Sequence, residues 1–169
     1  MEAFTGVSDI IIRQAMRHDL EAIGNLWVEL MMFHSELDPR FGIPRHGRGN
    51  YIRYTYQAIR DHNYQVLVAE VDKRIIGYVI GYIAQNPPIF PQPQYGFIAD
   101  LCVTSSVRRN GAGRRLVNAI CKWFRQRGMQ SIQLNVAHHN PTSQAFWRQM
   151  GCTDYLDHMW MRLDEPGNG

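Results

Sequence analysis

Val103-Thr104-Ser105-Ser106-Val107-Arg108-Arg109-Asn110-Gly111-Ala112-Gly113-Arg114 is the stretch on which the reading of this chain turns. A β-rich run, Tyr95 to Thr104, enters it. A helical stripe leaves it, carrying Leu116, Val117, Ile120, Cys121 and Phe124 and stopping at Gly128. Glycines at a strand-to-helix turn let the backbone approach a ligand, and successive amides at the helix start, aided by the helix dipole, form an anion nest. A pyrophosphate fits such a nest. Gly113 is followed by Arg114-Arg115, not by the Lys-Ser/Thr of a P-loop. The dinucleotide fingerprint wants a small residue where this chain has Leu116, and it opens a first βαβ unit, whereas this turn lies late. Taken alone, a glycine pair more often marks a tight turn dressed with solvated arginines, so the weight falls on what surrounds it.

Upstream, Asp9 to Ala15 reads as a first strand, and Asp19 is placed to cap a helix carrying Leu20, Ile23, Leu26, Trp27, Leu30 and Met31. The pattern loosens from Phe33 to Tyr56, before a short helix near Tyr51 to Asp61. Val66 to Val71 and Ile75 to Ala84 predict a hairpin turning at Asp72-Lys73-Arg74. Residues 86–93 hold four prolines and must be a loop or arm, because proline removes the ladder donor. Downstream, Ser131 to Ala137 reads as a strand, Asn140 to Met150 as a helix and Tyr155 to Leu163 as a last, alternating strand. The fold class is α/β (α+β): a mixed sheet flanked by helices. One domain spans 1–169, with its core over about 9–163 and a Gly/Pro/Asn tail at 164–169.

Composition narrows the function classes. No apolar run approaches the roughly 20 residues of a membrane span, and no signal pattern opens the chain, so the expectation is a soluble, cytoplasmic protein with no membrane partner. Cys102, Cys121 and Cys152 lack metal-ligand spacing, which predicts buried free thiols and no metal. Sixteen of the eighteen basic residues are arginine, and four of them (Arg108, Arg109, Arg114, Arg115) cluster around the two glycines. Arginine forks suit phosphate oxygens, and so local a cluster favours a phosphorylated small molecule over nucleic acid, which would want a longer basic stripe.

With these motifs in place, the chain resembles the GNAT superfamily of N-acetyltransferases from about Ile11 to Leu163. Arg108-Arg109-Asn110-Gly111-Ala112-Gly113 fits that family's Arg/Gln-x-x-Gly-x-Gly/Ala signature, preceded by Asp100-Leu101-Cys102-Val103. Asn140-Pro141-Thr142-Ser143-Gln144-Ala145-Phe146-Trp147-Arg148-Gln149-Met150-Gly151 is similar to its second motif, with Ser143 in place of alanine and Trp147 in place of tyrosine. The resemblance implies a mostly antiparallel twisted sheet whose two central strands splay to admit acetyl-CoA. It also implies that the backbone of Leu101, Cys102 and Val103 pairs with the pantetheine arm of coenzyme A, while Arg108, Arg109, Asn110, Gly111, Ala112, Gly113 and Arg114 hold the pyrophosphate. Asn140, Ser143 and Trp147 would approach from the other side. Asn140 ahead of Pro141 is equally a helix cap.

The implied reaction is direct attack of a primary amine on the acetyl thioester, through a tetrahedral intermediate. An amine with a pKa of about 8–10.4 must lose a proton, so the site needs a base. Asp100, on the strand beside the thioester, is the first candidate; the alternative is a strand-end carboxylate bonded to a loop. A backbone N–H near Val103 would serve the oxyanion if the strand is bulged there. Cys102 as an acyl carrier lacks an evident activating partner, and His138 and His139 read as a solvated pair. Indole cannot protonate the leaving thiolate, which leaves Tyr155, water or no acid at all. For the acceptor, whether a small-molecule or a protein or peptide amine, the candidates are Phe33, His34, Glu36, Asp38 and Tyr54, with Tyr51 and Tyr56 nearby. Glu36 and Asp38 favour a cation while Arg40, Arg45 and Arg48 oppose it, and the aromatics read alternatively as a homodimer contact. The competing function class is a non-catalytic acyl-CoA-binding regulatory module.

Overall fold

Along β2 (Tyr64–Val71), Val66 and Val68 turn to one face and Leu67 and Ala69 to the other, and all four are buried. A strand apolar on both faces needs a covering layer on each. The computed structural model, which describes residues 10–107 and 109–163, supplies them. Five strands lie in the order β1 (Ile11–Gln14), β2, β3 (Arg74–Gln85), β4 (Gln94–Val103) and β5 (Ile132–Leu134). Every neighbouring pair is antiparallel except β4–β5. One face carries α1 (Leu20–Leu37) and α2 (Gly47–Arg60), whose Ile23, Leu26, Tyr51 and Ala58 pack on Val66, Val68, Tyr78 and Ile80. The other carries α3 (Ala112–Gln126) and α4 (Pro141–Gln149), with Leu116, Val117, Ile120, Phe124 and Trp147 over Leu67, Val79 and Ile98.

Local chemistry accounts for the joints. The β2–β3 turn puts Asp72 and Lys73 at φ +48° and +63°, the type I′ geometry whose twist matches a two-residue hairpin. α3 ends where Gly128 takes φ +80° and Met129 N–H donates back to the Phe124 carbonyl at 3.0 Å. The proline-rich loop is closed by Asn86, whose N–H donates to the Pro93 carbonyl at 2.8 Å and whose amide donates to that of Gln92 at 2.9 Å. Gly96 lets α3 lie down on the sheet: a Cβ there would stand 2.6–2.8 Å from three carbons of the Phe124 ring. Gly96→Ala is therefore expected to destabilise the fold by about 1–3 kcal/mol through overpacking, read from urea unfolding midpoints.

Three expectations are corrected. Asp19 does not cap α1; its buried carboxylate accepts from Arg13 at 2.7 and 2.9 Å and from Met16 N–H at 2.7 Å. A buried carboxylate is held by the strongest donor in reach, and Arg13, which also donates to Glu70 at 2.7 Å, outbids the helix end. The second helix begins at Gly47, four residues earlier than the aromatic pattern suggested. Residues 155–163 form no strand: alternation makes a strand only where an edge accepts it, and this segment pairs with none among the described residues. Asp9 and the 164–169 tail fall outside the described residues. Among the described helices none is long and apolar enough to cross a membrane.

Candidate active site

The site begins with one surplus residue. In the β3–β4 ladder Gly81 stands opposite Ile98 and Ile80 opposite Asp100, so Ala99 is an extra residue that bulges the strand. Simple alternation would put Ile98 and Asp100 on the same face. Instead Ile98 packs in the α3 layer, while Ala99 lies against the α1–α2 layer and Asp100 bonds to α2.

There the Tyr51 hydroxyl donates to Asp100 Oδ2 at 2.7 Å, and its oxygen lies 3.1 Å from the buried Tyr78 hydroxyl. Trp27 stacks on the Tyr51 ring at 4.8 Å, fixing its hydroxyl. Burial pushes the Asp100 carboxyl up to about 6, with the Tyr51 bond pulling the other way. Burial also holds both tyrosines well above the ordinary phenol value, so they act as neutral donors. A carboxylate poised near neutrality and aimed by a phenol is suited to accept a proton. Tyr51→Phe removes the bond that favours the charged form. The acid limb of the pH–rate profile should then move up by about one pH unit, measured as kcat/KM between pH 5 and 9.

Beside Asp100 the sheet opens. β5 pairs with β4 only at Gly96–Ile98, against Ile132–Leu134, while β4 runs on to Val103. The bulge lies at Ala99, not at Val103, which sits in regular register opposite Gly77. The strand then enters a 3₁₀ turn, Ser105–Val107, held by Glu29 of α1: its carboxylate accepts from Thr104 Oγ1 at 3.0 Å and from Ser105 N–H at 2.7 Å. Arg109 at φ +67° and Gly111 at φ +88° turn the chain into α3. The first amides of α3 have no carbonyl to bond within the helix. Asn110 Oδ1 takes the N–H of Ala112 at 3.2 Å, and the ring of Phe146 abuts Gly113. A parted strand pair leading to a glycine-turned helix N-terminus matches the shape of a pantetheine arm ending in a pyrophosphate. Arg108 lies outside the described residues.

Other expected residues divide. Asn140 Oδ1 accepts from Ser143 N–H at 3.0 Å, so it caps α4. Trp147 is buried in the α3 layer, edge-on to Phe146. Tyr155 is exposed beyond α4. The Cys102 thiol is buried and donates to the Leu26 carbonyl at 3.4 Å, the environment of a structural thiol. Phe33 and Glu36 line an open groove of about 460 Å³ with Glu29 and Ser105, between α1 and the loop leading to the nest. Tyr54 lies with Tyr51 on the Asp100 side, at 5.8 Å between rings. Asp38 and Arg40 pair with each other, through Arg40 Nε at 2.9 and 3.1 Å and through its terminal nitrogen. The opposing charges of that loop thus cancel locally, and the Asp38 carboxyl is held well below its usual range. Burial lowers the pKa of His34.

Residues 30–152 match the Acetyltransferase (GNAT) family. This chain belongs to it. The acetyltransferase is 26% identical over 143 residues to the uncharacterized N-acetyltransferase YhfO of Bacillus subtilis (strain 168), covering 83% of this chain and 87% of that protein. It is 28% identical over 88 residues to L-2,4-diaminobutyric acid acetyltransferase of Nocardia farcinica (strain IFM 10152), 52% of this chain and 43% of that one. Among solved structures, a mutant of the BH1408 protein from Bacillus halodurans superposes with a TM-score of 0.82 at 26% identity, covering 90% of this chain and 99% of that one. Aminoglycoside N-acetyltransferase AAC(6′)-Iy in complex with CoA shares the fold, with a TM-score of 0.73 at 19% identity over 91% and 94% of the two chains. The protein is an N-acetyltransferase with the mixed, mostly antiparallel sheet of that family. Two residues of the candidate site take up contacts that the sequence does not announce. Glu29 looks in sequence like any polar residue on an amphipathic helix, and Tyr51 lies 49 positions from the carboxylate it aims.

Proposed function

We propose that this acetyltransferase moves an acetyl group from acetyl-CoA to the primary amine of a small cationic molecule, with Asp100 accepting the proton. The observation that carries this reading is the Tyr51–Asp100 pair at the mouth of the parted β4–β5 strands. When bound, acetyl-CoA supplies an acetyl thioester activated toward amines. Leu101 to Val103 and the first turn of α3, from Gly111 to Arg114, would hold its pantetheine and pyrophosphate. The carboxylate attracts an ammonium ion, and as the C–N bond forms the nitrogen's proton becomes more acidic and passes to Asp100. Tyr51 keeps the receiving oxygen in place. A main-chain N–H of β4 beside the Ala99 bulge, past the last rung shared with β5, would serve the developing negative oxygen. The departing thiolate, with a thiol pKa near 8.5, leaves without a dedicated acid, since Trp147 is an indole and Tyr155 stands in solvent.

A small acceptor is preferred over a protein amine for two reasons. Asp100 sits at the end of a half-buried aromatic run, Tyr54, Tyr64, Tyr82 and Phe97, whose successive rings are 5.1–6.3 Å apart. Relatives of similar sequence or fold act, by their names, on diaminobutyric acid and on aminoglycosides. The test is CoA-thiol release from acetyl-CoA against polyamines, aminoglycosides, amino acids and short peptides. Amine-dependent release with a small molecule is the expected result; release with peptides alone would refute the acceptor class, and acetyl-CoA binding without release by any amine would restore the regulatory reading.

A further inference from the structure

Strand alternation puts Tyr64, Tyr82 and Phe97 on the α1–α2 side of the sheet, and the ladder makes them neighbours: Tyr64 stands opposite Tyr82, and Tyr82 opposite Phe97. Their rings follow in that order, with centroids 5.1 and 5.3 Å apart. Tyr64 packs on the core beneath α2 with Tyr54, whereas Tyr82 and Phe97 belong to neither core cluster. The helices explain the difference. α2 meets the sheet at β2, and α1 crosses the far end of β4, where Cys102 and Thr104 bond to it. The rung of Tyr82 and Phe97 lies beyond both, and its rings stay half-buried. Large rings that the fold itself does not cover are a surface for a ligand.

This ledge borders the site. Phe97 precedes Asp100 on β4 by three residues, about 10 Å of strand, with the Ala99 bulge between them. Tyr54 closes the other side: its ring lies 5.8 Å from that of Tyr51, which holds the carboxylate. Burial raises the Tyr54 and Tyr82 phenols, so the ledge presents uncharged rings beside a single carboxylate. One ammonium ion is matched by Asp100. A second ammonium lying on the rings would give up its water with no carboxylate to receive it, and the hydroxyls of a sugar would meet ring faces in place of hydrogen-bond partners. An aromatic ring meets neither obstacle and stacks there, offset or edge to face.

We propose that Tyr82 and Phe97 select the acceptor, and that it is a primary amine joined by a short alkyl chain to an aromatic ring, which lies on this ledge while the amine meets Asp100. The assignment rests on the acetyl transfer proposed above and narrows its acceptor. The chemistry is the same: the C–N bond forms, the C–S bond breaks, sulfur leaves with the electron pair, and the nitrogen's proton passes to Asp100. What the ledge adds is orientation, since a stacked ring fixes the direction from which the nitrogen approaches.

The experiment compares CoA-thiol release from acetyl-CoA by the full chain with 2-phenylethylamine, n-butylamine, spermidine and kanamycin as acceptors. The expected result is a kcat/KM for 2-phenylethylamine at least about 10-fold above that for n-butylamine. Tyr82→Leu and Phe97→Leu, which keep apolar bulk and remove the ring, should each raise KM for 2-phenylethylamine by about 10-fold with kcat little changed. Tyr82→Phe, which keeps the ring, should retain the wild-type KM, and titration with acetyl-CoA shows that each variant is folded. Equal use of the two monoamines overturns the proposal, as does a preference that survives both leucine substitutions. A loss in Tyr82→Phe equal to that in Tyr82→Leu assigns the effect to the hydroxyl and overturns stacking. Release with spermidine or kanamycin but with neither monoamine overturns the ledge assignment and leaves the small cationic acceptor standing; acetyl-CoA binding without release by any amine overturns both.

Discussion

Replacing Asp100 by asparagine is expected to leave a protein that binds acetyl-CoA as before but acetylates its acceptor roughly 10²–10⁴-fold more slowly. The wild-type kcat/KM should rise with pH through about 6, where the Asp100 carboxyl ionises, and the variant should lose that limb. The same substitution has a signed consequence for stability. The carboxyl goes from an ordinary 3.8 in the unfolded chain up to about 6 in the fold, so between those values the folded state binds more protons. Stability contributed by this group is greatest below 3.8 and is lost as pH rises through 6. Asparagine escapes that loss, and at pH 7 the variant should be more stable than wild type by about 2 kcal/mol, allowing for solvent at its open side. Urea unfolding at pH 5 and pH 7 measures it; a variant that is inactive and less stable at neutral pH would mean that Asp100 is a structural carboxylate.

Gly111→Glu should abolish most cofactor affinity. Gly111 takes φ +88° at the start of α3, a conformation that costs other residues about 1–2 kcal/mol, and a carboxylate there faces the amides that would meet a pyrophosphate. A loss of acetyl-CoA affinity of at least about 100-fold is expected. Isothermal titration with acetyl-CoA is the measurement. Unchanged affinity would remove the nest from the site, and an equal loss in Gly111→Ala would assign the effect to backbone strain alone.

The sheet and three of the four helices were legible because their signals are local. Leu116, Val117, Ile120 and Phe124 fall on one stripe, and Asn140-Pro141 announces a helix start that the Asn140–Ser143 bond then makes. What was not legible depends on distance in the chain. The periodicity of α2 is masked at its start by Gly47 and Gly49, because the helix is held there by packing on α1, not by propensity. Asp19 reads as a cap until Arg13 arrives from β1 to take its carboxylate. At the site, the glycine turn and Asp100 stand out in the sequence, whereas Glu29 and Tyr51 acquire their roles only when α1 and α2 fold across β4. The alternation of 155–163 predicted a strand that the structure does not form, because a strand needs a ladder partner that a local pattern does not supply.

The surplus residue at Ala99 separates two demands that a strand normally makes together. If it were deleted, Ile98 would still meet Gly81 and Asp100 would still meet Ile80, so each core side chain on β4 would keep its layer and each rung its partner. The strand would straighten, and the main-chain groups it now turns out of the ladder would be drawn back into it. What the extra residue changes is the course of the main chain beside the cleft, a feature carried by the chain's length at one position and invisible to its hydrophobic pattern.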